Sequence, residues 1–323
     1  MREMFLTHSA EPLTNDMTDN SASPLFSILI PTWNNLEMLK LCVRSIESNS
    51  SFPHEILVHV NDGSDGTLDW VRENGIRHTH SSENIGVCWA LNRLRSLVTS
   101  DYMVFINDDM YMCPGWDKAY LDEIKTVGHK KFFLASATLQ PLPHNLRPIG
   151  VPVADYGRSV GDFDEDRLLG DVKNMNVPDT MGAVWPPNIV HRDMWDLVGG
   201  YSIEYTPGLG SDPDFSAKLW MAGVRYFKTM GTSLCYHFMS ASVNRVKKNV
   251  GHLQFLRKWG ITPRVFLRDF LNVDAAWDGA SGGAGAKSGI DKELARCGAK
   301  RVLTVLQDSG APKLWDPPFG QIE

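Results

Sequence analysis

The sequence predicts an α/β protein with a mostly parallel central sheet flanked by helices. Three observations carry that expectation. Short apolar runs alternate with stretches of helical periodicity from Phe26 to Asp109, at a spacing that belongs to βαβ units. Each run ends in a polar cluster, after Ile30, Val60 and Ile106. The composition, 43% hydrophobic and 22% charged, fits a chain that builds a core.

The elements follow in order. Residues 1–24 are rich in Ser, Thr, Asn, Asp and Pro without periodicity and read as a mobile leader. Phe26-Ser-Ile-Leu-Ile-Pro31 is a buried strand closed by proline. Leu36, Leu39, Val43 and Ile46 recur at helical spacing from Leu36 to Glu47, with Asn34 or Asn35 as N-cap. A second strand, Glu55 to Val60, runs into Asn61-Asp-Gly-Ser-Asp-Gly66, and a helix follows from Thr67 to Asn74. Another helix fits Gly86 to Leu97, and the strand Tyr102 to Ile106 leads into Asn107-Asp108-Asp109. After the apolar stretch Lys131 to Ser136 the pattern loosens, with prolines and an acidic run, Asp162 to Asp166. Order returns from Met181 to Val190 and in a helix from Pro213 to Ala222. Gly, Ala and Ser dominate 277–289 as in a flexible linker. A helix from Asp291 to Gln307 precedes a Pro-rich tail.

Lys+Arg 32 against Asp+Glu 38 leaves a net charge of -6, which disfavours a general nucleic-acid binder. The five cysteines (Cys42, Cys88, Cys113, Cys235, Cys297) include no CxxC pair, so free thiols in a reducing compartment are expected. No apolar run approaches the roughly 20 residues of a membrane span. The N-terminus lacks the apolar core of a signal peptide. A cytoplasmic protein is expected, with peripheral contact at the inner face of a membrane left open.

Ligands of parallel sheets gather at the carboxyl ends of the strands, where the polar clusters fall. Carboxylates at the end of a buried strand, as in Asn107-Asp108-Asp109, need a positive neighbour. Hard oxygen ligands suit Mg²⁺ or Mn²⁺, although Asn-Asp is also common in plain turns. Asp62 is placed to accept hydrogen bonds from a base or ribose, or simply to build an Asp-Gly turn. Asn84, ahead of Gly86, is a cap or a ribose contact. Asp212 and Asp214 stand at a helix start, where they favour the helix dipole or supply a general base. His237 closes an apolar stretch, where a lone histidine is ordinarily structural.

Taken in order, several segments resemble family 2 glycosyltransferases of the GT-A fold over residues 26–261. They are Ser27 to Asn34, Val60 to Thr67, Glu83-Asn-Ile-Gly86 with Ala90 and Asn92, Val104 to Asp109 with Pro114-Gly-Trp116, Val198 to Tyr201, Gly210 to Phe215, Tyr236-His237 and Lys258-Trp-Gly260. The resemblance implies that Pro31, Thr32 and Asp62 line the nucleotide pocket, with Asp62 near the base. It puts Asn84 and Gly86 near the ribose or diphosphate. Asn107, Asp108 and Asp109 match a DXD-like motif in which Asp109 is the metal ligand and Asp108 the variable middle position. His237 matches a histidine that completes the site for Mn²⁺ or Mg²⁺, and Asp212 the catalytic base.

The sequence departs from the family at three positions: Ser211 stands where a glutamate is usual, Asn107 where an aspartate is, and Lys218 where an arginine is frequent. The activity implied is inverting, single-addition transfer from a nucleotide sugar to a glycan or glycolipid hydroxyl, in polysaccharide or glycoconjugate biosynthesis. UDP is the first candidate, with GDP and dTDP open. A non-catalytic sugar-nucleotide scaffold and a nucleotidyltransferase are the alternatives. Gln254 to Trp259 is similar to a QxxRW motif one residue out of register, which leaves Arg257 or Lys258 as a diphosphate clamp or as a solvated basic face. Trp185 is an acceptor-side aromatic or a core residue. The organisation expected is a leader over 1–24, a GT-A domain over 25–272, a linker over 273–289 and a C-terminal helix and tail over 290–323. Within the GT-A domain, 25–110 is the nucleotide half and 111–272 the acceptor half.

Overall fold

The computed structural model describes residues 23–141, 153–239, 249–279 and 289–308. The expected leader up to residue 22, the linker residues 280–288 and the tail beyond 308 lie outside the described residues. The first half runs β1 (Phe26–Trp33), α1 (Leu36–Asn49), β2 (Glu55–Asn61), α2 (Thr67–Glu73), β3 (Arg77–Ser81), α3 (Gly86–Leu94) and β4 (Tyr102–Phe105). The second half continues with β5 (Met110–Met112), α4 (Trp116–Val127), β6 (Phe132–Leu139), α5 (Glu165–Val172), β7 (Thr180–Met181), β8 (Asn188–His191), α6 (Arg192–Val198), α7 (Ser211–Met221) and β9 (Tyr226–His237). Helix α8 (Gly251–Trp259), the short α9 (Pro263–Val265) with its π-helical extension, and α10 (Asp291–Asp308) close the described chain.

Among the described residues one sheet has the order β3-β2-β1-β4-β8-β6-β9-β5, with β7 beside β9. The longer pairings, β1–β2, β2–β3, β1–β4 and β6–β9, are parallel. Strands β8, β5 and β7 enter antiparallel. Alternation along β1 divides the core, because successive side chains point to opposite faces. Phe26, Ile28 and Ile30 pack with Leu39, Cys42 and Val43 of α1. Leu29 faces the other way, with Leu91 and Leu94 of α3 and Phe215 of α7. Full burial of each such side chain contributes about 1.5–3 kcal/mol, so both faces of the sheet must be covered by helices.

Several local readings need correction. Asn35 is the N-cap of α1 but makes no side-chain cap bond; instead Asp65 Oδ2 accepts from the Leu36 N–H at 3.0 Å. Helix α7 begins at Ser211, two residues before the expected Pro213, so Asp212 and Asp214 lie inside its first turn. Strands β3 and β5 and helix α4 had no sequence reading. The stretch expected as a linker from 273 is packed at its start: the Met181 N–H donates to the Ala275 carbonyl at 2.8 Å, and Trp277 packs edge-on against Tyr226 with centroids 4.9 Å apart.

Candidate active site

The parallel register sets the carboxyl ends of β1, β2 and β4 side by side. Trp33 pairs with Asn61, and the Ile106 N–H donates to the Leu29 carbonyl at 3.1 Å. Asn61, buried and given no role from sequence, joins three of the clusters. Its Nδ2 donates to the Thr32 carbonyl at 3.1 Å, and its Oδ1 accepts from the Ile85 N–H at 2.9 Å. Thr32, Asp62 and the loop from Asn84 to Gly86 are thereby held at one edge. Behind Asn61 sits His59, bonded to Thr79 and Ser81. Burial, helped by nearby Arg93, pushes its pKa down to about 4, so it is neutral at ordinary pH.

Asp62 has φ 62 and Asn34 φ 45, left-handed conformations that Asn and Asp tolerate better than other side chains. Asn34 Nδ2 donates to Asp62 Oδ2 at 2.8 Å, and Asn34 Oδ1 accepts from the Gly63 N–H at 2.9 Å. These bonds, with those from Ser64, hold the Asp62 carboxyl below the usual range. The result is an ionised acceptor aimed outward. Asn84 Oδ1 accepts from the Gly86 N–H at 2.9 Å, so its side chain serves the start of α3. Gly86 has φ 77, and a Cβ there would lie 2.8 Å from Pro207 Cα; only glycine fits this approach of α3 to the loop before α7. Pro31 is partly exposed in β1 and pairs with His59.

After β4, Asn107 is partly exposed while Asp108 and Asp109 are buried. Thr32 Oγ1 donates to Asp108 Oδ2 at 2.7 Å, so the middle acid is engaged by β1. His237 Nε2 lies 3.3 Å from Asp109 Oδ1. The Met110–His237 pairing of β5 with β9 makes this contact across 128 residues of sequence. No cluster of three or more His, Cys, Asp or Glu suited to a metal occurs among the described residues. A single carboxylate and a single imidazole fit a cation that takes its other ligands from phosphates and water.

Asp212 sits in the first turn of α7. The Tyr201 hydroxyl donates to its Oδ1 at 3.1 Å, and Tyr201 packs edge-on against Phe105, the last residue of β4, at 5.9 Å. Asp212 keeps some solvent exposure, yet desolvation by the surrounding protein, with Tyr201 opposing, raises its pKa to about 7. Its charge also reaches the buried Cys88 thiol in the first turn of α3. Ser211, in the place of the usual glutamate, donates to the Gly208 carbonyl at 2.6 Å and so braces the turn. Two supporting residues were not found from sequence: Tyr201, which orients Asp212, and Asn34, which orients Asp62. Tyr201 had only its place in a Gly-Gly-Tyr segment as a signal, and Asn34 only its place before α1.

Asp214 is not available as the base. It is fully buried and accepts from Ser202 Oγ at 2.6 Å, Trp259 Nε1 at 2.8 Å and Lys258 Nζ at 2.9 Å. Lys258 also bonds Glu204 at 2.8 Å, and Arg257 Nη2 donates to the Thr304 carbonyl at 3.2 Å. Lys258, although exposed, thus fastens α8 to the helix that carries Asp212. Asp214→Ala would leave the Ser202 hydroxyl and the Trp259 indole N–H without their acceptor, at a cost of about 1–3 kcal/mol, while Lys258 keeps Glu204. Chemical denaturation is expected to show a loss of that order, and a change below about 1 kcal/mol would refute the anchoring role. Lys218 donates to the Gly200 carbonyl, tying α7 to the Tyr201 segment. Trp185 packs partly buried against the core. No predicted site residue lines either of two shallow concavities of about 380 and 330 Å³, one against α4 and one between α6, α7 and Trp259.

Comparison with known proteins agrees with this architecture. Residues 27–130 match the family described as Glycosyl transferase family 2. The PGL/p-HBAD biosynthesis glycosyltransferases of Mycobacterium bovis and Mycobacterium tuberculosis are 24% identical over 273 residues, covering 79% of this chain and 92% of theirs. Among solved structures, S. aureus TarS superposes with TM-score 0.51 at 12% identity, over 88% of this chain and 44% of that one. GalNAc-T7, solved with UDP, GalNAc and Mn²⁺, superposes with TM-score 0.53 at 12% identity, over 90% and 58%. At such identities the structures speak for the fold, and the family match and curated relatives for the activity class. The chain is a glycosyltransferase with the GT-A fold, and its residues 27–130 match family 2.

Proposed function

We propose that this enzyme moves a sugar from a UDP-linked donor to a hydroxyl of a glycan or glycolipid, by one inverting displacement that needs Mn²⁺ or Mg²⁺. The product belongs to polysaccharide or glycoconjugate biosynthesis, each encounter adds a single sugar, and the enzyme works in the cytoplasm against the inner face of a membrane. The observation that carries the reading is Asp212. A carboxylate at the start of α7 with its pKa raised to about 7 suits proton abstraction near neutrality. The pairing of Asp109 with His237 on the neighbouring strand ends supports it, and the fold neighbour solved with UDP and Mn²⁺ supports testing that pair first.

Each group then has one task. Asp62 accepts from the base, and the backbone around Gly86 lets the donor approach closely. Asp109 and His237 would hold the cation, which when bound offsets the charge growing on the leaving diphosphate. Asp212 takes the proton from the acceptor hydroxyl as it attacks the anomeric carbon, while Tyr201 fixes the carboxylate's orientation. Lys258 and Asp214 keep the base helix in place.

A panel of sugar nucleotides, each with and without Mn²⁺, tests the reading through release of nucleoside diphosphate. One donor of the panel should be turned over only with the metal; failure of every nucleotide sugar to bind would refute it. Because the base must be ionised, kcat/KM for that donor should fall below about pH 7 with unit slope. A profile flat from about pH 5 to 8 would contradict the role of Asp212.

A further inference from the structure

Helix α10 buries very little of itself. Cys297 is 2% exposed and packs with Leu256 and Val265, and Thr304 is also buried. The opposite side carries apolar residues in water: Val302 is 58% and Leu303 56% exposed. At 3.6 residues per turn, Ala295, Ala299, Val302 and Leu303 share the side facing away from Cys297 and Thr304. The same spacing puts Lys292, Arg296 and Lys300 along the Leu303 side of that strip, all three exposed, while Arg301 turns toward the body of the protein, where a Cβ on Gly260 would lie 3.7 Å from its Nη1. The acids of this helix are Asp291 at its start, Glu293, which pairs with Arg296 at 2.7 Å, and Asp308 at its end. A chain of net charge -6 thus presents a locally basic helix with an unpartnered apolar face.

That combination narrows the occupant. A second copy of the chain would bring Lys292, Arg296 and Lys300 against their own counterparts, and like charges across a contact oppose it. An anionic bilayer meets both features, because apolar side chains sink into the acyl boundary while bordering Lys and Arg reach the headgroup phosphates. No helix among the described residues is long and apolar enough to cross a membrane, so attachment by α10 would be along the surface.

We propose that the outer face of α10 is a membrane-docking surface, with Val302 and Leu303 inserted and Lys292, Arg296 and Lys300 on the phosphates of anionic lipids. This deepens the peripheral placement given under the proposed function by naming the surface responsible. Docking there would hold the enzyme next to a lipid-borne acceptor without using any residue of the candidate active site.

The test is co-sedimentation of the full chain with vesicles of phosphatidylcholine alone or mixed with an equal part of phosphatidylglycerol. Binding is expected to the anionic vesicles, to weaken with added salt and to be slight on the neutral ones. Reversing Lys292 to Glu should reduce partitioning about fivefold or more. The double variant Val302→Glu, Leu303→Glu should abolish it. Both variants alter exposed side chains, so helical circular dichroism and nucleotide binding should match wild type, which separates failure of docking from failure of the enzyme reading. A full chain that stays in the supernatant with anionic vesicles overturns the proposal. So does binding that survives the double variant, or a dimer in solution that the double variant dissolves.

Discussion

Asp212→Asn should lower kcat by about 10²–10⁴-fold, the usual contribution of a positioned base, while nucleotide-sugar binding stays within a few-fold of wild type. The amide is isosteric and still accepts from the Tyr201 hydroxyl, which bonds Asp212 Oδ1 at 3.1 Å, but it cannot take a proton. The same variant should be more stable, not less. Desolvation raises the Asp212 pKa to about 7, whereas an unfolded chain has the carboxyl near 4. A folded-state pKa above the unfolded value means that the contribution is intact below about pH 4, is lost as pH rises toward 7, and is fully lost above. Asparagine carries no such loss. Denaturation at about pH 8 should show the variant gaining about 1–4 kcal/mol, with the gain vanishing near pH 4. An inactive variant with unaltered stability at both values would make Asp212 a catalytic group without the burial argued for it. An active variant would remove it as the base.

Asp109→Ala should remove the tightening of nucleotide-sugar binding by Mn²⁺ and reduce turnover by about 10²–10³-fold, the scale seen when one preorganised stabiliser of a transition-state charge is lost. Asp109 is 6% exposed, and the neighbouring Asp108 is engaged by Thr32 Oγ1 at 2.7 Å. His237→Ala should do less, because the carboxylate is the stronger donor for a hard cation. Titration of the nucleotide sugar with and without Mn²⁺ separates the effects. Affinities of wild type and Asp109→Ala should converge when the metal is withheld. Equal Mn²⁺ enhancement in both proteins would refute the assignment.

Much of the nucleotide edge was legible because its signals are local. The run Phe26 to Pro31 has no other good use than a buried strand, and Asn61-Asp-Gly can only turn. The order of these pieces gave the family, and the family gave roles for Asp109, His237 and Asp212. Strand β3, Arg77–Ser81, went unread because an edge strand of Arg, His, Thr and Ser has neither an apolar run nor a clear alternation. Helix α4 went unread although Trp116, Tyr120, Leu121 and Ile124 form a buried face. The ion pairs of Lys258 could not be read from sequence because its partners Glu204 and Asp214 lie 54 and 44 residues away.

The amino-acid order alone determined that apolar strands alternate with amphipathic helices and that acids and amides collect where those strands end. Hydrophobic periodicity and turn chemistry act over a few residues and can be read as written. Only the tertiary structure supplied a physical reason to prefer Asp212, which the resemblance named, over Asp214. Asp212 and Asp214 are two residues apart in one helical turn, and nothing local distinguishes them. One is surrounded by Lys258, Trp259 and Ser202, brought in from α8 and the loop before α7, and is consumed by them. The other meets Tyr201 and the buried start of α3 and is left desolvated with its proton in balance. A carboxylate's pKa is set by what surrounds it in space, and those surroundings come from distant segments that only folding assembles.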